Sequence, residues 1–320
     1  MQKIGVLGAG HLGKIHLNCI KEIPDYQLVG FYDPDIEVAK EVAEKYGIPN
    51  FSTIESLIDA VDVVDIVTPT VEHFSCAKMA LKNFKHVFIE KPIVATVEDA
   101  EKLMALAEEA RMKVQVGHVE RFNPAFTAAL PYIDSPMFIE VHRLAQFNPR
   151  GTDVPVVLDL MIHDIDIILS VVKANIKKLS ASGVPIISKT PDIANVRIEF
   201  DNGCVANLTA SRISMKNMRK MRLFQRNAYI SIDFLEKESQ IVEMSDLKGE
   251  PEPFAMIFEN ENFKKEIKVF KPEIKPVNAI KTELWEFCKS IEQDTVPPVP
   301  LSDGVHALSL ANEIIEKINF

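Results

Sequence analysis

The stretch that decides the fold is Ile4-Gly5-Val6-Leu7-Gly8-Ala9-Gly10-His11-Leu12-Gly13, an apolar strand that runs directly into a glycine-rich turn. A helical pattern follows the turn, and Asp33 stands twenty residues after Gly13, at the end of a second apolar run. A strand, a G-x-G-x-x-G turn, a helix and an acidic residue at about this spacing form the fingerprint of a dinucleotide-binding unit. The sequence therefore predicts such a unit over these residues.

The glycines of the turn have separate physical roles. Gly8 permits the tight turn, Gly10 lets a pyrophosphate approach the backbone, and Gly13 lets the helix pack close to the strand. The helix N-terminus offers free N–H groups and a favourable dipole to the pyrophosphate. The cofactor contacts expected in this turn are Gly8, Gly10, His11, Leu12 and Gly13.

Asp33 indicates which dinucleotide the unit prefers. Its carboxylate is placed to accept hydrogen bonds from the adenosine ribose hydroxyls. No arginine follows Asp33 closely, so a 2′-phosphate would meet repulsion. We therefore expect NAD as the cofactor, in preference to NADP.

Composition sets the broad class of protein. A chain of 320 residues is long enough for two domains that each bury a core. The net charge of −10 argues against binding to nucleic acid or to an anionic membrane, and no apolar run approaches the roughly 20 residues of a membrane span. The scattered cysteines lack metal-ligand spacing and predict buried thiols in a reducing cytoplasm; they are Cys19, Cys76, Cys204 and Cys288.

Residues 1–120 alternate between strand and helix patterns, which is typical of a parallel sheet with helices on both faces. The predicted strands are Lys3–Leu7, Gln27–Tyr32, Val63–Val67, His86–Ile89 and Lys113–Val116. The clearest predicted helices are Asp35–Tyr46, Val71–Asn83 and Val97–Ala110. We assign residues 1–120 to an α/β dinucleotide-binding domain.

Residues 121–320 follow a different pattern, which predicts an α+β domain with an antiparallel sheet. Asp201-Asn202-Gly203 between two apolar runs is a hairpin signal. The predicted strands are Met137–Ala145, Val196–Phe200, Cys204–Ser211, Arg219–Gln225 and Ala228–Phe234. The predicted helices are Pro124–Tyr132, Val157–Val172, Asn278–Gln293 and Gly304–Ile318, and 248–273 is predicted to hold strand and loop.

Ligands of open α/β sheets bind outside the carboxyl ends of the strands. That rule selects Thr68-Pro69-Thr70, Glu90-Lys91-Pro92 and Gly117-His118. Lys91 comes just after a strand, and Pro92 favours extended geometry for the residue before it. A lysine in this position beside a cationic nicotinamide suits proton transfer. By itself, Lys91 is equally well explained as a surface lysine in a loop.

Asp159 and His163 lie four positions apart on a predicted apolar helix and so share a face. Charged groups on such a helix require partners or a cleft. The pair is interpreted either as an imidazole oriented by a carboxylate or as a satisfied pair in the core, while Asp164 and Asp166 lie on other faces. Because no cysteine or second histidine lies nearby, no metal site is expected.

A stretch without acidic residues extends from Asp201 to Asp233 and contains Arg212, Lys216, Arg219, Lys220, Arg222 and Arg226. In so acidic a protein this excess of positive charge favours an anionic substrate, such as a diphosphate. A solvated sheet face or an oligomer surface explains it equally well.

These motifs together resemble the Gfo/Idh/MocA oxidoreductases: the turn of 8–13, Asp33, Thr68-Pro69 with His73, Glu90-Lys91-Pro92, and Asp159 with His163. The resemblance implies a Rossmann domain followed by an α+β domain with a large, open, mainly antiparallel sheet. It implies hydride transfer from a secondary alcohol of a sugar to nicotinamide. It also implies that Lys91 and His163 are the acid/base groups, that Asp159 supports them, and that Thr68, Pro69, His73, Glu90 and Lys91 contact the cofactor.

Three further segments, 117–124, 151–158 and 211–214, are similar to the nucleotide-sugar branch of that family, in particular to UDP-N-acetylglucosamine 3-dehydrogenases. Those 3-dehydrogenases make the 3-keto sugar for a later aminotransferase in lipid A assembly. The expected substrate-binding residues are Lys91, Arg121, Asn123, Arg143, Arg150, Asp159, His163 and Arg212. The alternatives are a UDP-sugar acid or a free inositol-type cyclitol as substrate, a non-catalytic NAD-dependent sensor, and a metal hydrolase, which the shortage of histidines disfavours.

The strands after residue 190 also raise the question of assembly. Their apolar residues Leu208, Ile213, Leu223, Ile230 and Ile232 offer a surface that face-to-face pairing of two sheets would bury. We therefore expect a homodimer or homotetramer.

Overall fold

The computed structural model describes residues 1–148, 154–247, 250, 255–260 and 263–318. The chain divides into two compact units. The first comprises Met1–Phe122 and Val277–Ser309, and the second comprises Asn123–Pro276 and Leu310–Phe320. The predicted boundary at residue 120 lies beside the observed one. The prediction of a single boundary needs correction, however, because residues 277–309 return to the first unit.

The described part of the first unit holds a five-stranded parallel sheet with the order β2-β1-β3-β4-β5. Its strands are β1 (Gln2–Leu7), β2 (Tyr26–Tyr32), β3 (Val63–Ile66), β4 (His86–Glu90) and β5 (Val114–Gly117). Every residue of β3 and β5 is buried, as expected for a parallel sheet covered on both faces. This burial explains why short apolar runs were sufficient to predict all five strands.

Five helices connect and follow these strands within the described residues: α1 (His11–Lys21), α2 (Ile36–Tyr46), α3 (Ile54–Ala60), α4 (Thr70–Lys82) and α5 (Val97–Ala110). The Asp35 side chain caps α2 by accepting the N–H groups of Glu37 and Val38. The helix ends at Gly47, whose φ of 63° is the left-handed conformation that glycine favours. Helix α3 was not predicted from the sequence and spans only seven residues.

The second unit is built on a large, mostly antiparallel sheet. In its described residues the strands are β6 (Phe138–Leu144), β7 (Ile176–Val184), β8 (Ile193–Phe200), β9 (Val205–Ser211), β10 (Met218–Phe224), β11 (Ala228–Asp233), β12 (Glu238–Asp246), β13 (Met256–Asn260) and β14 (Phe263–Phe270). Their order is β13-β14-β12-β11-β10-β6-β9-β8-β7, and only β6 and β9 pair in parallel among them. Strands β7 and β12 were not predicted.

Helices cover one face of this sheet. They are α6 (Pro124–Ala129), a π-helix (Val157–Met161) and α7 (Ile162–Val171). Helix α6 packs on β11 and β12, and the π-helix packs on β9. Along β10, Met221 and Leu223 are fully buried while Arg222 between them is exposed. Side chains that alternate in this way point to a covered face and an open face.

The expected apolar assembly surface lies mainly on the covered face. Leu208, Leu223, Ile230 and Ile232 are all buried within the unit, so this prediction is wrong for those four residues. Because the side chains of a strand alternate, the apolar set packs against the helices and the other set faces outward. The open face instead carries an aromatic row in which Phe138 contacts Phe224 and Phe224 contacts Tyr229.

The chain ends with α8 (Ala279–Glu292) and α9 (Leu301–Ile318). Leu284, Phe287 and Cys288 of α8 are completely buried and belong to the core cluster that contains Ile4 and Val6 of β1. This packing explains why residues 277–309 belong to the first unit. Among the described residues, no helix combines the length and the apolar character needed to cross a bilayer.

Candidate functional site

The glycine turn after β1 has the geometry that its sequence predicts. Gly8 has a φ of +96°, and a side chain there would meet the carbonyl of Val67 at 2.8 Å. A side chain at Gly13 would collide with the Gly8 carbonyl, so Gly13 lets α1 pack directly onto the turn. Gly10 has open space where a side chain would stand. A pyrophosphate can therefore approach the backbone at Gly10.

Asp33 is fixed at the carboxyl end of β2. One carboxylate oxygen accepts the N–H of Ala9 at 2.7 Å, and the other accepts the N–H of Asp35 at 2.9 Å. The first bond ties the acid to the glycine turn. The Asp33 carboxylate is thereby held beside the position predicted for the pyrophosphate.

A cavity of about 920 Å³ opens at this edge of the sheet. Its lining includes the predicted residues Gly8, Gly10, His11, Leu12, Asp33, Thr68 and Pro69. Residues that the sequence analysis missed also line it: Tyr32, Pro34, Asp35, Val38, Ile54, Val67, Val71, Glu72 and Cys76. The free space over Gly10 and the fixed carboxylate of Asp33 fit an adenine dinucleotide. Asp35 adds a second carboxylate, which further disfavours a 2′-phosphate.

Some of the missed lining residues stand at positions that the sequence indicated as ligand-binding. Asp35 comes two positions after Asp33, and Val71 and Glu72 directly follow the Thr68–Thr70 segment. Each follows the carboxyl end of a strand, where α/β sheets bind ligands. Ile54 belongs to α3, the helix that was not predicted, so no sequence signal was available for it.

His73 contacts two backbone carbonyls at the carboxyl ends of neighbouring strands. Its side chain is buried, with Nδ1 lying 2.9 Å from the carbonyl oxygen of Pro92 and Nε2 lying 2.9 Å from that of Thr68. It does not line the described cavity. His73 joins the loops that follow β3 and β4.

Lys91 directly follows β4, as predicted, and its side chain is half-buried. Its backbone N–H donates to Oε2 of Glu90 at 3.2 Å, and the Lys91–Pro92 peptide is cis. Glu90 itself is buried. Neither Glu90 nor Lys91 lines the cavity described above. The hydrogen bond to the buried Glu90 side chain therefore holds the backbone of Lys91 at the end of β4.

Asp159 and His163 lie on the segment predicted to be a helix, but the segment begins as a π-helix over Val157–Met161. Both side chains are half-buried, whereas Met161 and Ile162 between them are fully buried. The pair is therefore accessible at one face of an otherwise apolar segment. Short π-helices occur frequently at functional sites.

Two predicted substrate residues have internal partners in the second unit. Arg143 is buried and forms a two-pronged ion pair with Asp164, at 2.8 and 2.7 Å. Asn123 caps α6 and donates to the carbonyl of Phe234 at 3.0 Å. These contacts give both side chains a structural role and argue against direct substrate binding. The ion pair also balances the charge of Asp164, which is buried.

Three of the six basic residues in the stretch without acidic residues lie beside acids from other segments. Lys220 contacts Asp233 at 3.1 Å, and Arg222 contacts Glu140 at 3.0 Å. Buried Arg212 lies 3.9 Å from Asp192 and donates to the Val154 carbonyl. These pairs weaken the prediction of a diphosphate site here, because their positive charge is already balanced.

Two arginines outside that stretch complete the predicted set. Arg121 lies in the first unit, where its guanidinium contacts Asp303 at 3.0 Å. Arg150 lies outside the described residues.

Comparison with known proteins identifies the family. Residues 2–118 match the profile of the oxidoreductase family with an NAD-binding Rossmann fold, and residues 140–230 match the profile of the GFO/IDH/MocA C-terminal domain. The chain belongs to the Gfo/Idh/MocA oxidoreductases. It is an NAD-binding oxidoreductase, and its named relatives are dehydrogenases of sugars and nucleotide sugars.

Several relatives are similar to this Gfo/Idh/MocA protein over most of their length. UDP-N-acetylglucosamine 3-dehydrogenase of Acidithiobacillus ferrooxidans is 38% identical over 73% of this chain and 74% of that protein. Its solved structure superposes with a TM-score of 0.89 over 99% of this chain and 97% of that one. scyllo-Inositol 2-dehydrogenase of Bacillus subtilis is 32% identical over 66% of this chain and 68% of that protein.

A further solved structure, levoglucosan dehydrogenase in complex with NADH, has a TM-score of 0.84 at 19% identity over 99% of this chain and 96% of that one. At that identity it supports the fold alone. The parallel sheet followed by a large, mostly antiparallel sheet is therefore the architecture of the family, as the sequence predicted.

Proposed function

We propose that this protein oxidises the 3-hydroxyl of UDP-N-acetylglucosamine to the 3-keto sugar, with NAD as the oxidant. The observation that carries the proposal is the 38% identity to an enzyme of that name across about three quarters of both chains. The cavity beside Asp33 supports the cofactor part of the proposal.

The chemistry divides between the cofactor and the protein. NAD, when bound, supplies the carbon that accepts the hydride. The alcohol must also lose its hydroxyl proton, and the protein has to provide the base. We assign that role to Lys91 or His163, with Asp159 supporting His163 from four positions earlier in the chain.

A second substrate class is favoured by a specific observation. The inositol dehydrogenase of Bacillus subtilis is 32% identical over two thirds of the chain. In addition, three of the basic side chains predicted to hold a diphosphate, Arg143, Lys220 and Arg222, have carboxylate partners. A free cyclitol needs no diphosphate site, and it undergoes the same oxidation of a secondary alcohol.

The test is NADH formation, followed by absorbance, across UDP-N-acetylglucosamine, other UDP-sugars, a UDP-sugar acid, and myo- and scyllo-inositol. The proposal predicts the highest kcat/KM with UDP-N-acetylglucosamine. Calorimetry with UDP alone separates the two classes. UDP binding that weakens with salt supports a UDP-sugar, whereas turnover of inositol without detectable UDP binding selects the cyclitol.

The proposal extends to the setting of the enzyme. The four cysteines are buried free thiols, which suits the cytoplasm. The product would supply an aminotransferase in lipid A assembly. The open sheet face of the second unit, with its aromatic row, is the surface through which we propose that two or four copies assemble.

A further inference from the structure

Three buried ionisable side chains lie behind the loop that carries Lys91, and the proposed chemistry uses none of them directly. They are His16 on α1, Asp65 on β3 and Glu90 at the end of β4. His16 and Asp65 are completely inaccessible to solvent. Placing charged groups in a core is unfavourable unless they are paired with one another.

The three side chains form a continuous line that ends at the Lys91 backbone. Nδ1 of His16 lies 2.9 Å from Oδ2 of Asp65. Nε2 of His16 lies 3.3 Å from Oε1 of Glu90, in an ion-pair contact rather than an aligned hydrogen bond. The other oxygen of Glu90 accepts the N–H of Lys91 at 3.2 Å.

The surroundings leave the Glu90 carboxylate little room to move. A side chain at Gly117 would meet Oε1 of Glu90 at 2.7 Å, so the carboxylate occupies the space left by the glycine. The edge of the His16 ring packs against Phe88, with 5.8 Å between ring centroids. On the other side of Lys91, His73 contacts the carbonyl of Pro92. The Lys91 backbone is therefore held from both directions.

The charges of His16, Asp65 and Glu90 favour the contacts among them. Burial by itself lowers the pKa of His16, but the carboxylates of Asp65 and Glu90 outweigh it and hold that pKa well above its ordinary value. The two carboxylates thus favour the charged imidazolium form of His16. Burial raises the pKa of the neighbouring Glu283, on α8, well above its usual range, which favours the neutral form of this fourth acid.

We propose that His16 is a positioning residue for Lys91: anchored by Asp65, it fixes the Glu90 carboxylate that holds the Lys91 backbone. The inference rests on the proposed function at one point, which is that Lys91 accepts the hydroxyl proton of the substrate. A positioned base gains rate through correct geometry in the transition state, so its misplacement lowers kcat more than it raises KM.

Two amide variants of different length separate a positioning role of His16 from an effect on stability alone. In His16→Gln, the amide nitrogen reaches about as far as Nε2 and retains the contact with Glu90. In His16→Asn, the shorter side chain reaches only the Nδ1 position beside Asp65. With saturating NAD, we expect kcat to fall about tenfold in His16→Asn and to stay within about twofold in His16→Gln, the scale of one hydrogen bond to a charged group.

Two further measurements accompany the kinetics. Urea unfolding of both variants shows whether they lose equal stability. Acetic anhydride labelling, read by peptide mass spectrometry, compares the reactivity of Lys91 with that of exposed Lys40 and requires no turnover. We expect the labelling ratio to change in His16→Asn and to remain at the wild-type value in His16→Gln.

The outcomes keep the two proposals apart. If the wild type oxidises none of the sugars or cyclitols, the proposed function fails, while the labelling ratio still tests the positioning role. Equal kcat and equal labelling ratios in the two variants would overturn the role of His16. Should His16→Asn not fold, Glu90→Asp withdraws the carboxylate from the Lys91 N–H and must produce the same changes.

Discussion

At the scale of single residues, the cofactor cavity is defined by acids at fixed positions. Asp33 is held by two backbone N–H groups, and Asp35 lies beside it in the lining. Asp35 also caps α2, so one residue serves both the helix and the cavity. We expect these two carboxylates together to disfavour the 2′-phosphate of NADP.

Replacing Asp33 with serine should narrow the preference for NAD over NADP. The change removes the charge that repels a 2′-phosphate and leaves a hydroxyl near the ribose. We expect the ratio of the two dissociation constants, measured by calorimetry, to change by about tenfold, or about 1.4 kcal/mol. Asp59→Asn removes the same charge from an exposed position outside the cavity and serves as the control. Tighter binding of NADP than NAD by the wild type would contradict the role of Asp33.

The proposed acid/base groups are tested by Lys91→Met and His163→Ala. Each should lower kcat by roughly 10²-fold, the usual contribution of general acid–base catalysis. NAD binding should persist, because neither residue lines the dinucleotide cavity. Lys40→Met, on the exposed face of α2, controls for loss of a lysine. Near-normal turnover in both variants would mean that these residues are structural.

At the scale of helices and strands, prediction succeeded where burial dictates a pattern. The five parallel strands are apolar because both faces of that sheet are covered. Strand β7 was missed because Leu179 is its only buried residue among those described, so it lacks an apolar run. The π-helix was missed because the apolar pattern of Val157–Met161 does not distinguish a π-helix from an α-helix.

Side-chain partners were the least predictable part of the site. The basic stretch is free of acids along the chain, yet Glu140 from β6 and Asp233 from β11 lie beside it across the sheet. Strand order and register decide those pairs. Neither can be read from the local sequence of β10.

Helix α8 supplies a prediction about stability. Glu283 is fully buried, and neither of its carboxyl oxygens has a hydrogen-bond partner in the described residues. Burial raises its pKa in the folded state above the unfolded value. Below the pKa of the unfolded state, Glu283 is protonated in both states and imposes no pH-dependent penalty on folding. As the pH rises toward the folded pKa, the unfolded state releases this proton while the folded state retains it, so the free energy of unfolding falls.

Glu283→Met should consequently stabilise the protein, and the gain should grow as the pH rises. A gain of about 1–3 kcal/mol is expected at neutral pH, since an apolar side chain of similar volume replaces a buried acid. Urea unfolding at pH 5 and pH 8 provides the measurement. Glu286→Met, on the same helix but not buried, is the control. A gain that shrinks as the pH rises would contradict the protonation assigned to Glu283.

At the scale of the whole molecule, the open sheet face remains without a partner inside the described residues of its own unit. It combines the aromatic row of Phe138, Phe224 and Tyr229 with cross-strand ion pairs. An apolar row rimmed by charges is typical of an interface between protein chains. This face is therefore the candidate for assembly.

Phe224→Glu should disrupt that assembly, because it places a charge in the centre of the aromatic row. Light scattering at micromolar concentration should give the mass of a dimer or tetramer for the wild type and a lower mass for the variant. Phe84→Glu makes the same change at an exposed position of the first unit and should leave the mass unaltered. A monomeric wild type would exclude the proposed assembly.

The central claim is that hydride leaves carbon 3 of the sugar of UDP-N-acetylglucosamine. The most direct measurement uses that substrate with deuterium at carbon 3 and NAD, and analyses the nucleotide product by mass spectrometry. Deuterium should appear in the reduced cofactor, with a UDP-linked 3-keto sugar formed alongside it. Formation of unlabelled NADH from the deuterated substrate would contradict the claim. So would the absence of NADH with UDP-N-acetylglucosamine when inositol yields NADH under the same conditions.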